Sequence, residues 1–181
     1  MKRVIIPLAE GFEEIEAVTS IDVLRRAGIE VITVGLDTDT VKGAHRLKIE
    51  TDKRLKDVLN YDFDAVVLPG GMPGAANLRE SSELLKLIKN INGKKGLIAA
   101  ICAAPIVLEA AGVLNDREAT SYPGYDSEME SANYSEERVV VDRNLITARG
   151  PGVAVEFALE VVKYLAGESE AFSLKKAMLI E

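Results

Sequence analysis

One stretch constrains the fold more than any other: Gly96-Leu97-Ile98-Ala99-Ala100-Ile101-Cys102-Ala103-Ala104-Pro105-Ile106. Small and aliphatic residues lead without interruption into the chain's only cysteine. A second apolar run, from Pro105, recurs at helical spacing and stops at Gly112. This pattern predicts a buried strand, a sharp turn at Cys102 and a helix starting immediately behind it. A nucleophile at that point sits on a strand-to-helix elbow, with unpaired helix N–H groups around it. Those groups and the helix dipole are expected to lower the cysteine pKa and favour the thiolate. The plainer alternative is a small buried hydrophobe, as most free cysteines are.

The rest of the chain supplies partners for that strand. Residues 2–8 read as a buried strand, residues 13–27 as a helix with an acidic first turn, and residues 29–36 as a second strand. Gly28 ends the helix as a C-cap. Strand, helix and strand with short links make a βαβ unit, so the two strands should be parallel neighbours. Residues 37–52 are polar and read as a small hairpin or edge excursion, followed by a short helix over 55–59. Asp64-Ala65-Val66-Val67-Leu68 is a third central strand, apolar as a strand covered on both faces must be. It runs into Pro69-Gly70-Gly71, a tight turn or a place of close backbone approach. A helix capped by Ser81 or Ser82 follows, up to about Ile91. Beyond Gly112 the pattern predicts a short strand over 119–122, a short exposed helix over 126–134 and a hairpin over 139–147. An amphipathic helix over 153–166 and a C-terminal helix complete the chain. The order is that of a doubly wound α/β sandwich with a mostly parallel central sheet, one domain over residues 1–181.

Composition removes several functions. The chain carries a net charge of about −7 with no basic stripe, so no nucleic-acid partner is expected. No apolar run reaches the roughly 20 residues of a membrane span. The opening Val4-Ile5-Ile6-Pro7-Leu8 is too short for a signal peptide, so a cytoplasmic location is expected. One cysteine forms no internal disulfide, and one histidine builds no His-rich metal site. Neither a metal nor another cofactor is expected; the Gly-Gly loop lacks the pattern of a phosphate cradle.

In such a sheet, ligands bind outside the carboxyl ends of the strands. Three strand ends are chemically loaded: Ala9 to Glu16, Pro69-Gly70-Gly71 and Ile101-Cys102-Ala103. Cys102 is the candidate nucleophile, and the backbone N–H groups of Gly71 and Ala103 are candidate oxyanion donors. A carboxyl group from the first helix would be protonated beside the sulfur in a dry cleft. Spacing does not choose among Glu13, Glu14 and Glu16. His45 lies in a polar excursion and reads first as an exposed surface residue. With Ala103 following the cysteine, no adjacent Cys-His dyad exists, which weighs against peptidase chemistry.

These residues carry a resemblance. Ala9-x-Gly11-x-Glu13-Glu14-x-Glu16, Asp22-Val23-Leu24-Arg25-Arg26-Ala27-Gly28, Val66-Val67-Leu68-Pro69-Gly70-Gly71, Ala99-Ala100-Ile101-Cys102-Ala103-x-Pro105 and Arg149-Gly150-Pro151-Gly152 occur in order along almost the whole chain. In this the chain resembles the ThiJ/PfpI superfamily, in its Parkinsonism-associated deglycase ("DJ-one") branch. The resemblance implies a flavodoxin-like sandwich, usually a homodimer with the first helix in the interface. It implies Glu16 as the protonated acid beside Cys102, a low-pKa nucleophile, with Gly71 and Ala103 as amide donors. Gly70, Tyr122, His45 and Arg46 would line the pocket. Tyr122 stands where the best-known members carry histidine, so a mechanism needing that imidazole does not transfer. The implied activity is cofactor-free glyoxalase or deglycase chemistry on a small 2-oxoaldehyde or glycated substrate. The rival is a redox-sensing protein whose Cys102 is oxidised to sulfinic acid. Amidase or peptidase action ranks last.

Overall fold

The computed structural model describes residues 1–180. In chain order the elements are β1 (Arg3–Leu8), α1 (Glu14–Arg26), β2 (Glu30–Gly35), β3 (Thr40–Lys42), β4 (Lys48–Glu50), β5 (Lys53–Arg54), β6 (Ala65–Leu68), α2 (Gly74–Glu80), α3 (Ser82–Gly93), β7 (Leu97–Ile101), α4 (Pro105–Ala110), β8 (Glu118–Ala119), β9 (Asn133–Tyr134), β10 (Val139–Asp142), β11 (Leu145–Ala148), α5 (Ala154–Ala166) and α6 (Glu168–Ala177). Seven strands form one sheet in the order β10-β11-β7-β6-β1-β2-β5. All of its pairings are parallel except β10 with β11.

Strands β1, β6 and β7 sit in the middle and are buried on both faces, which is why they read as unbroken apolar runs. Alternation along each strand divides the core. Ile5, Val66, Ile98 and Ala100 pack with Leu78, Leu84, Ile88 and Val107 from α2, α3 and α4. Val4, Ile6, Val67, Leu97 and Ala99 pack with Ala17, Leu24, Phe157, Val161 and Leu174 from α1, α5 and α6. Strand β2 extends the sheet from β1 in one direction and β6 extends it in the other. The carboxyl ends of β1 and β6 therefore flank a topological switch point, where a crevice opens.

The hairpin within 37–52 forms as β3 against β4. Five local expectations are corrected. Residues 55–57 form a single 3-10 turn rather than a helix. Helix α2 follows Pro73 where only a turn was expected; it has no side-chain cap and buries little besides Ala75 and Leu78, so it leaves a weak periodic signal. The expected helix over 126–134 is a 3-10 turn at Asp126–Glu128, and residues 133–134 pair with Glu118–Ala119 in a small separate sheet. That pairing also shortens the strand expected over 119–122. Finally, α4 starts at Pro105 rather than directly behind Cys102, since residues 102–104 form a turn.

Candidate active site

Cys102 stands at the carboxyl end of β7 with a φ of 64°. A residue with a Cβ pays roughly 1–3 kcal/mol for that conformation, so the surroundings must hold it. They do so from two sides. The Cys102 amide donates to the Ala148 carbonyl at the end of β11 (2.9 Å), and the Cys102 carbonyl accepts from the Tyr122 amide (2.8 Å). The side chain is half-buried, and the amides of Gly71 and Ala103 lie near enough to its sulfur to favour the thiolate.

Glu16 reaches the same point from the first turn of α1. It is wholly buried. Its Oε2 accepts a 2.7 Å hydrogen bond from the Gly70 amide, while Oε1 finds no partner by ordinary geometry. The carboxyl group lies within hydrogen-bonding reach of the Cys102 thiol. Gly70 is threaded between acid and thiol: a Cβ there would stand 2.7 Å from Cys102 Cβ and 2.9 Å from Glu16 Oε2. Gly71 has a φ of +84°, and a Cβ on it would meet the Glu13 nitrogen at 2.3 Å. The glycine pair is therefore a close-approach device; any side chain at Gly70 would separate the thiol from its acid.

The electrostatics overturn one expectation. Instead of a lowered cysteine pKa, burial first, and then the negative charge and hydrogen bond of Glu16, push the Cys102 thiol up to about 12. The Gly71 and Ala103 amides oppose this and are outweighed. The expected helix dipole is weak here, because α4 is six residues long and begins three residues after the sulfur. Burial also raises Glu16 to about 7, against the Gly70 and Cys102 hydrogen bonds and with the help of the Glu13 charge. Each charge of the pair disfavours the other, so acid and thiol hold one proton between them from near neutrality to strongly alkaline pH.

Spacing left three carboxylates open, and the structure separates them. Glu16 faces the sulfur. Glu14 points away, into the loop of residues 43–47, and Glu13 sits beside His45. His45 is exposed, as its sequence context suggested, and its Nδ1 lies 2.9 Å from Glu14 Oε2. Arg46 has a φ of 75° in the same loop, and its exposed guanidinium makes no ion pair among the described residues. The structure thus gives neither residue a contact with the thiol. Tyr122 holds the elbow through its amide, while its half-exposed ring packs toward Gly150. Tyr125 escaped the sequence reading. Its phenol pKa is raised by burial and then by the nearby Cys102 charge, which places its ring at the pocket on a segment tethered by Tyr122. No helix of the described residues is long and apolar enough to cross a membrane.

The model of the DJ-1/PfpI family matches residues 2–164. The chain belongs to the DJ-1/PfpI family. Within that family it is 42% identical to the Parkinson disease protein 7 homolog of Danio rerio, over 99% of this chain and 98% of that protein. It is 40% identical to the glutathione-independent glyoxalase DJR-1.2 of Caenorhabditis elegans, over 94% of this chain and 92% of the relative. The crystal structure of Drosophila melanogaster DJ-1beta superposes with a TM-score of 0.96 at 42% identity, covering 99% of this chain and 98% of that one. The α/β sandwich and the parallel order of its central strands are therefore those of the DJ-1 structures.

Proposed function

We propose that this chain is a cofactor-free glyoxalase, converting a small 2-oxoaldehyde to a 2-hydroxy acid at Cys102. The observation that carries this reading is the wholly buried Glu16 carboxyl set beside the Cys102 thiol across Gly70, with burial raising the pKa of both groups. As sulfur attacks the aldehyde carbon, the thiol proton passes to Glu16, and the new hemithioacetal oxygen is met by the Gly71 and Ala103 amides. Glu16 passes that proton to the neighbouring carbonyl oxygen. As a carboxylate it then takes the proton of the former aldehyde carbon and returns it to the neighbouring carbon, while the hemithioacetal oxygen becomes the thioester carbonyl. The first carbon is oxidised as the second is reduced, so the product is a thioester of the 2-hydroxy acid and no external oxidant is needed. Water cleaves the thioester, releasing the acid and restoring the thiol. With a pKa raised to about 7, Glu16 can act as acid and base by turns. The naming of the nematode relative supports the substrate class. A glycated substrate would enter by substitution, the sulfur taking the place of the amine at the adduct carbon and the amine leaving with the thiol proton, to give the same hemithioacetal.

Two parts of the reading concern setting. Ile15 (56% exposed) and Val18 (47%) leave an apolar strip on α1 beside the exposed Phe172 of α6, which supports a two-fold homodimer built on that face. A cytoplasmic workplace belongs to the same proposal. Sulfinic acid formation at Cys102 is the second reading, favoured by the amide cradle that would hold its oxygens.

Purified protein freed of metal and glutathione should convert methylglyoxal to lactate, and Cys102→Ser should abolish it while the circular dichroism spectrum is kept. Lactate formation by Cys102→Ser at the wild-type rate would move the chemistry elsewhere. Rapid sulfinic acid formation on exposure to peroxide, without any lactate formation, would favour the sensor.

A further inference from the structure

Glu13, Glu14 and His45 converge on one point at the start of α1, each offering a ligand atom within 4.8 Å of the other two. From this geometry we propose that the three residues form a divalent transition-metal site, with zinc the best match, separate from the Glu16–Cys102 pair. The donor set is one imidazole nitrogen and two carboxylates, which is zinc chemistry rather than that of a purely acidic patch. In a tetrahedral zinc site, ligand atoms about 2.0–2.1 Å from the metal lie about 3.3 Å from one another. His45 Nδ1 is 2.9 Å from Glu14 Oε2 and 3.7 Å from Glu13 Oε1, values on either side of that edge length. Small side-chain rotations, opening the first distance and closing the second, bring both to that length.

The supporting groups are already in place. Glu14 is buried, and its Oε1 is fixed by the amides of His45 (2.7 Å) and Leu47 (3.4 Å), which turns Oε2 toward the other two ligands. Gly43 lets the loop close over this carboxylate; a Cβ there would stand 2.3 Å from Glu14 Oε1. The main chain of Glu13 is held by the hydrogen bond that its N–H donates to the Gly70 carbonyl (2.9 Å). Backbone contacts of this kind orient ligands before a metal arrives. His45 is exposed and supplies both the third ligand and the open side, where water would complete the coordination. The chain's 31-residue gap between Glu14 and His45 hid the site from motif reading, which had expected no metal.

The experiment must exclude the thiol, itself a zinc ligand, so it uses the full chain carrying Cys102→Ser. Titration with zinc chloride in a calorimeter should show one zinc per chain. Adding His45→Ala or Glu13→Gln should each weaken binding by roughly tenfold or more. His45 is exposed on its loop, while Glu13 is largely buried at the start of α1, and a circular dichroism melt reports whether each variant keeps the fold. Cobalt should give the absorption of an N/O-coordinated tetrahedral ion, lost with His45→Ala. Zinc binding unchanged by both substitutions overturns the proposal. So does binding seen only when Cys102 is present, which would assign the metal to the thiol. Because the readout is binding in a variant without the nucleophile, its failure leaves the glyoxalase reading untouched, and failure of that reading leaves this site untouched.

Discussion

Glu14 and Glu16 lie two residues apart in the first turn of one helix, and both are buried, yet they move in opposite directions. Burial alone raises the pKa of each. For Glu14 it is overcome by the His45 side chain, its own helix backbone and the His45 and Leu47 amides, and the carboxyl settles below its usual value of 4.5. Glu16 has the single amide of Gly70 and the thiol, and settles near 7. The helix dipole acts on both alike and cannot separate them. What differs is the number of donors aimed at each carboxylate. A well-supplied carboxylate fixes a loop, and an undersupplied one can exchange a proton with the sulfur beside it.

The largest expected effect comes from exchanging the two roles by substitution. Glu16→Gln removes the group that moves protons, so kcat/KM for methylglyoxal should fall by about 10²–10⁴. Glu14→Gln should leave turnover within about threefold and instead lower stability by about 1–2 kcal/mol, by weakening hydrogen bonds to a charged acceptor. Equal losses of activity in the two variants would erase the distinction.

Stability against pH should separate them next. Glu16 has a raised pKa in the folded state, so its contribution is fully present below about 4.5 and is lost as pH rises through about 7. A carboxyl moved from 4.5 to about 7 contributes about 3 kcal/mol at most, and Glu16→Gln should remove that slope from denaturant melts between pH 4.5 and 8. Glu14 runs the other way: its contribution is present above its ordinary value and lost as pH falls through the lower folded one. Glu14→Gln should flatten the acid limb only. The smallest effect is expected at Tyr122. Its amide, not its half-exposed ring, holds the Cys102 carbonyl, so Tyr122→Phe should change kcat/KM by about twofold or less.

Much of this was legible in the residues, and the remainder was hidden for physical reasons. The apolar runs at Val4–Leu8, Ala65–Leu68 and Leu97–Ile101 announce the sheet centre because strands covered on both faces need no polar alternation. The elbow at Cys102 was visible as the change from one apolar period to another. Helix α2 was not, since it lacks a cap and a sustained apolar stripe. The three glutamates of α1 could not be separated, because which one meets sulfur depends on the threading of Gly70 between acid and thiol. The thiol's direction was misjudged for a related reason: burial raises it first, and the carboxylate that adds to this is 86 residues away in the chain, while the helix that would lower it is local.

The central claim is that Glu16 and Glu14 are driven apart by their donors, and site-resolved carboxyl titration tests it most directly. With glutamate labelled at the side-chain carboxyl with carbon-13, the Glu16 resonance should titrate near pH 7 and the Glu14 resonance below 4.5. Assignment follows from loss of each signal in the corresponding Gln variant. A Glu16 midpoint near 4.5 would contradict the shared-proton pair and with it the mechanism built on it.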